Sequence, residues 1–181
     1  RHASRNHWAG KARCNTGKAL DWSHDRPKKH PHPHSCGDVV EEMAQSFVAP
    51  ARSQDKNLDI EVRPMISCNG DEKAVRQLVS ILMDNALKYA PPGGQLALRL
   101  ERQGRAVVLT VSNTTVHPVD KESLEHLFDR FYRGDQSRNT QTGGYGLGLS
   151  IAKSIVAAHR GKIRAESPAP DTLMILVTLP G

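Results

Sequence analysis

Residues Gly143-Gly144-Tyr145-Gly146-Leu147-Gly148 run without a break into Leu149-Ser150-Ile151-Ala152-Lys153-Ser154-Ile155-Val156. Four glycines within six positions allow backbone turns and close approaches that a Cβ would block. The apolar stretch that follows reads as a helix. A helix opened by such a loop presents unpaired N–H groups and the positive end of its dipole, which suits a phosphate chain. Taken alone, a glycine-rich turn is also ordinary punctuation between elements.

About sixty residues upstream, Val75, Leu78, Val79, Leu82 and Ala86 recur at helical spacing and predict a core-facing stripe. Asn85, Lys88 and Tyr89 fall at i, i+3 and i+4 and share another face of that helix. An amide oxygen, an ammonium and an aromatic ring on one face suit a metal ion, a phosphate and a base. An amphipathic helix with a solvated polar face has the same pattern.

The two segments together are more specific. They resemble the N box and the G2 box of bacterial sensor histidine kinases. Leu127-Phe128-Asp129-Arg130-Phe131-Tyr132-Arg133, between them, resembles the F box of that family. Residues 154–163 read like the family's helix, turn and next strand, and 172–180 like its closing strand. The likeness covers about residues 38–181, with the motifs in the family's order. It implies an α/β two-layer sandwich of the α+β kind, with helices packed on one face of a mixed sheet. This is the Bergerat fold of the GHKL superfamily, shared with type II topoisomerase ATPases and a heat-shock chaperone family.

Charge divides the 181-residue chain. Residues 1–36 hold eight Lys or Arg against two Asp, whereas 37–181 hold seventeen of each sign. Six of the nine histidines and both tryptophans lie in the first segment. Prolines in Arg26-Pro27-Lys28-Lys29-His30-Pro31-His32-Pro33-His34 prevent regular structure there. The expected organisation is an unstructured basic arm over 1–36, an artefact or remnant being one reading, and a histidine-kinase-like ATPase domain over 37–181. The histidines of the arm can hold a transition metal, and its cationic run can touch nucleic acid or anionic lipid. No nucleic acid is expected for 37–181.

Cys14, Cys36 and Cys68 are odd in number and widely spaced, so no disulfide framework or zinc spacing is implied and a reducing compartment is preferred. No apolar run approaches the roughly 18 residues that span a bilayer, and no secretory signal is visible. The expected location is cytoplasmic, as part of a membrane-anchored parent, which the resemblance implies.

Asp38 is the expected N-cap of a first helix carrying Val39, Val40, Met43, Phe47 and Val48 on one stripe. A strand follows near 58–62. The Asn85 helix starts after Asn69-Gly70-Asp71 and stops at Pro91-Pro92-Gly93-Gly94. Two strands are expected at 95–102 and 105–112, a short helix near 121–127, and a polar lid over 132–145. A helix at 147–159 and strands near 162–166 and 172–179 complete the pattern.

The resemblance assigns roles. Asn85 supplies the protein ligand to Mg²⁺, and Lys88 with the amides of Gly144, Gly146 and Gly148 meets the phosphates of ATP. Arg133 and Arg138, at the lid edges, are candidates to close over the γ-phosphate, though each taken singly also suits a solvated surface. Tyr89 stacks on adenine, with Ile81 and Leu147 as walls. Phe128 and Phe131 anchor the lid, though both also suit plain core. Thr172 opens the closing strand beside the nucleotide. His117, His126 and His159 show no ligand spacing.

Two departures stand out. The family's G1 box has an aspartate followed by glycines, the aspartate accepting the adenine amino group. Here the corresponding stretch is Val111-Ser112-Asn113-Thr114-Thr115-Val116-His117-Pro118, and Asn113 holds the nearest position. An amide oxygen still accepts a hydrogen bond, without charge. Secondly, ATPases of this fold carry a water-activating glutamate one turn before the asparagine. That position is Ile81, which takes no proton.

The resemblance therefore implies transfer of the γ-phosphate of Mg-ATP to a histidine, rather than hydrolysis. The acceptor belongs to a dimerisation domain, and a response regulator receives the phosphoryl group from it. None of His2, His7, His24, His30, His32 or His34 stands in an acceptor-like context, so the acceptor is expected on a partner. The alternative is a non-catalytic nucleotide-binding or docking module with a degenerated site.

Overall fold

Strict alternation in Thr172–Pro180 decides the sheet: Leu173, Ile175, Val177 and Leu179 are buried, and the residues between them are not. The computed structural model describes residues 35–68, 70–132 and 146–181. Its elements are α1 (Cys36–Gln45), α2 (Val48–Ser53), β1 (Asn57–Val62), α3 (Glu72–Tyr89), β2 (Gln95–Gln103) and β3 (Ala106–Thr114). After these come α4 (Lys121–His126), α5 (Gly148–Ala158), β4 (Lys162–Ala169) and β5 (Thr172–Pro180).

The five strands form one mixed sheet in the order β1-β2-β3-β5-β4. Only β1 and β2 run parallel; the other three pairings are antiparallel. Leu98 of β2 lies opposite Val111 of β3, which lies opposite Ile175 of β5. Such rows of branched residues make one continuous apolar face. The other face carries Arg99 paired with Glu61 at 3.3 Å and Arg164 paired with Glu166 at 2.8 Å, as a solvent-facing surface does.

Among the described residues, α1, α3 and α5 cover the apolar face. Helix α3 supplies Val75, Leu78, Val79, Leu82, Met83 and Ala86 to the core, α1 supplies Val39, Val40 and Ala44, and α5 supplies Ala152 and Val156. The two-layer sandwich is the fold expected from the motif order. Helix α3 starts where its carboxylate cap predicts, with Asp71 accepting from the Lys73 amide at 3.0 Å. It ends at Ala90, immediately before Pro91, whose ring disfavours helical geometry in the residue ahead of it.

Three expectations are corrected. Ser35, not Asp38, caps α1, accepting from the Asp38 amide at 3.2 Å. Asp38 sits in the first turn, where its charge still suits the dipole. The first helical stripe is also not continuous. The Ser46 hydroxyl donates to the Met43 carbonyl at 2.6 Å, the chain turns, and α2 is a separate short helix.

The third correction concerns the cysteines. Cys36 and Cys68 form a disulfide, with Cα atoms 5.4 Å apart and a sequence separation of 32. The bridge between Ser35 and Ser67, and the Gly37 amide donating to the Ile66 carbonyl at 2.9 Å, bring the two segments into register. That pairing sets the cysteines side by side. Cys14 and residues 1–34 lie outside the described residues, whereas Ser35 and Cys36, assigned by composition to the basic arm, belong to the start of α1.

Candidate functional site

Ile81, Asn85, Lys88 and Tyr89 recur at helical spacing, so they share one face of α3. Ile81 identifies what that face meets. A Cβ built on Gly148, the first residue of α5, would lie 3.5 Å from Ile81 Cγ2. The glycine start of α5 therefore packs on α3 one turn ahead of Asn85. Among the described residues no side chain caps the N-terminus of α5, where Leu147 stands at the cap position, so its first amides suit an outside acceptor.

Asn85 is half-buried, and the Lys88 ammonium stands 5.1 Å from the centre of the Tyr89 ring. This is cation–π range. Tyr89 is 38% exposed, enough for a ring face to remain open to a base. Asp84 points to the surface and accepts from the Ser80 hydroxyl at 3.2 Å.

The F-box segment and the glycine loop meet directly. The Phe131 amide donates to the Gly146 carbonyl at 3.0 Å. Gly146 has φ +67°, and a Cβ there would come within 2.8 Å of the Tyr132 carbonyl oxygen and 2.9 Å of Phe131 C. Only glycine fits. The two phenylalanines separate in role: Phe128 is 8% exposed and part of the core, while Phe131 is 71% exposed with φ +64°. Arg133, Arg138, Gly144 and the lid expected over 132–145 lie outside the described residues from 133 onward.

Asn113 ends the inward-facing row of β3 and is 5% exposed. Its Nδ2 donates to the Thr114 carbonyl at 2.8 Å, which leaves Oδ1 as the accepting end of the amide. Its partner across β5 is Leu173, whereas Thr172 pairs with Thr114 and follows the opposite pleat. The structure thus sets Leu173 beside Asn113, and Thr172 at the start of β5 next to it. Leu147 is half-buried at the start of α5, where its carbonyl accepts from the Ser150 hydroxyl at 2.8 Å.

Two polar residues that the motifs do not mark hold the ends of α3. Lys56 is 8% exposed and donates from Nζ to the Leu87 carbonyl at 2.6 Å and to Gln54 Oε1 at 2.9 Å. It caps the last turn of the helix that carries Lys88 and Tyr89, as a cation at a helix C-terminus should. Burial holds the Lys56 ammonium below the ordinary lysine range. At the other end the Asp71 amide donates to His159 Nε2 at 3.2 Å. A strand-start lysine and a helix-end histidine carry no pattern that spacing could detect. Near the F box, His126 Nδ1 lies 2.8 Å from Asp129 Oδ2, a contact that raises the His126 pKa.

Comparison with known proteins agrees with this architecture. Residues 70–181, more than half of the chain, match the family model described as histidine kinase-, DNA gyrase B-, and HSP90-like ATPase. The chain belongs to that family. Sensor histidine kinase CusS of Escherichia coli O157:H7 is 38% identical over 128 residues, covering 70% of this chain and 26% of that protein. Sensor histidine kinase RppB of Synechocystis sp. is 32% identical over 145 residues, covering 79% of this chain and 32% of that protein. The chain thus spans about a quarter to a third of the length of these curated relatives. Among solved structures, the mycobacterial sensor histidine kinase MprB superposes with a TM-score of 0.73 at 27% identity, covering 83% of this chain and 98% of that one. Among the described residues, no helix is long and apolar enough to cross a membrane.

Proposed function

We propose that this domain binds Mg-ATP along the seam between α3 and the start of α5, and transfers the γ-phosphate to a histidine on a separate dimerisation domain. The observation that carries this reading is the seating of Gly148 on Ile81. It turns the face bearing Asn85, Lys88 and Tyr89 toward the uncapped amides of α5. Phosphate would meet those amides and the Lys88 ammonium, and the base would meet Tyr89. Similarity to sensor kinases supports a response regulator as the onward recipient, and a membrane-anchored parent whose cytoplasmic part includes this domain.

Asn85 fits a magnesium site as its single protein ligand, because its amide oxygen is a hard neutral donor. Among the described residues no group of three or more His, Cys, Asp or Glu is assembled to cage a metal. That suits an ion held mainly by phosphate oxygens and water. When bound, magnesium neutralises phosphate charge. The chain's own task is positioning: Ile81 offers no base to activate water, so a nucleophile delivered by the partner is favoured over hydrolysis.

Adenine recognition would rest on Asn113. With its nitrogen engaged by Thr114, the side chain offers the acceptor that an exocyclic amino group needs. A neutral acceptor is weaker than a carboxylate, and this favours the second reading, a nucleotide-binding or docking module without transfer. Incubation with γ-labelled ATP and an added dimerisation domain separates the two. Label on the acceptor histidine supports the kinase. ATP binding without transfer to any acceptor histidine supports the module.

A further inference from the structure

Two contacts fix how helices α3 and α5 run against each other. At one, Ile81 meets Gly148. At the other, the Asp71 amide donates to His159 Nε2 at 3.2 Å. Asp71 and Ile81 are ten positions apart, and Gly148 and His159 eleven, so both spans are about 15 Å of helix. The helices therefore run antiparallel and are pinned at both ends of one shared length.

The chemistry at the second pin is specific. His159 Nδ1 lies 2.8 Å from the Ile155 carbonyl, which only accepts, so Nδ1 carries the proton. Nε2 faces the Asp71 N–H, which only donates, so Nε2 is bare. Only the neutral ring with its proton on Nδ1 satisfies both partners. The neighbouring residue makes room for it: a Cβ on Gly70 would come within 2.8 Å of His159 Cδ2 and 3.0 Å of Nε2. Asp71 is itself the N-cap of α3, so the imidazole holds the residue from which that helix begins.

We infer that His159 is a positioning residue for the nucleotide site, acting as a hydrogen-bond acceptor that fixes the register of α3 against α5. Asn85 and Lys88 ride on α3, and the phosphate-facing amides belong to α5. A slip between the helices would misalign them, and misplacement by about 1 Å can cost on the order of a hundredfold in such sites. The inference rests on the reading of this seam as the ATP site.

Side-chain substitutions separate a clasp from a merely local cap. His159→Gln returns an acceptor at the reach of Nε2, whereas His159→Asn returns only a group at the reach of Nδ1. The clasp requires His159→Leu and His159→Asn to weaken Mg-ATP binding by about tenfold or more, and His159→Gln to restore it. A local C-cap role would reverse that order of rescue and overturns the inference. Gly70→Ala, which displaces the ring by collision while leaving the histidine in place, should reproduce the loss and add nothing to His159→Leu; full additivity also overturns the inference. Where His159→Leu does not fold, Gly70→Ala and the Asn–Gln pair carry the test. Side-chain nitrogen NMR of the wild type reads the tautomer without any nucleotide. A proton on Nε2 sinks the clasp even if ATP binds. A bare Nε2 with Gly70→Ala and His159→Leu non-additive in unfolding upholds the clasp even if ATP does not bind, in which case only the nucleotide reading falls.

Discussion

The Phe131 amide donates to the Gly146 carbonyl at 3.0 Å, which joins the end of the F-box segment to the start of the glycine loop. The contact holds Phe131 and Gly146 together just ahead of the first turn of α5. The same contact explains why a glycine stands at 146, where φ is +67° and the Tyr132 carbonyl would be 2.8 Å from a Cβ.

Gly146→Ala should therefore break this junction. Strain and collision together predict a loss of about 1–3 kcal/mol in stability. Mg-ATP affinity should fall by about tenfold or more, because the amides of α5 lose their alignment. Urea unfolding and calorimetry on the same variant check both. An alanine variant with wild-type stability and affinity would refute the junction.

Lys56 provides a second test. Its ammonium satisfies the Leu87 carbonyl at the end of α3. Lys56→Met keeps most of the stem and removes the donor, leaving a buried acceptor unpaired. The expected cost is about 1–3 kcal/mol by denaturant unfolding. An equal or more stable variant would mean that shedding a desolvated charge outweighs the cap.

The pair His126 and Asp129 makes stability depend on pH. The Asp129 carboxylate, chiefly through its hydrogen bond, raises the folded-state pKa of His126. The contribution is then fully present below the unfolded value of about 6.5 and is lost as pH rises through the raised folded value. The gap in melting temperature between wild type and Asp129→Asn should be larger near about pH 5.5 than near about pH 8.5. A constant gap across that range would remove the linkage.

Cysteine pairing gives a redox-dependent stability. Closing a loop with a sequence separation of 32 residues should stabilise by about 3–4 kcal/mol on the chain-entropy account. Added dithiothreitol should lower the unfolding midpoint of the wild type and leave Cys68→Ser unmoved. Identical midpoints for the wild type with and without reductant would show that the pair contributes nothing.

Much of this was legible in the sequence because local and global signals agree there. Leu173 to Leu179 alternate as a half-buried strand must, and Asp71 caps the helix whose stripe begins at Val75. The N, F and G2 segments read correctly in order, and the fold brings their described parts together. The misreadings share a cause, which is dependence on a partner distant in sequence. Ser35 caps α1 beside a bridge to Ser67, and Cys36 meets Cys68 for the same reason. Lys56 and His159 act on helix ends 31 and 88 residues away, beyond the reach of any local pattern.

The most direct test of the account is calorimetry of ATP binding with and without magnesium, on the wild type and on Asn85→Ala, with GTP as the competing base. The account predicts magnesium-dependent binding that prefers adenine and is lost in Asn85→Ala, with Asn113 supplying the acceptor for the base. Binding that ignores magnesium and Asn85, or no binding at millimolar nucleotide, would contradict it.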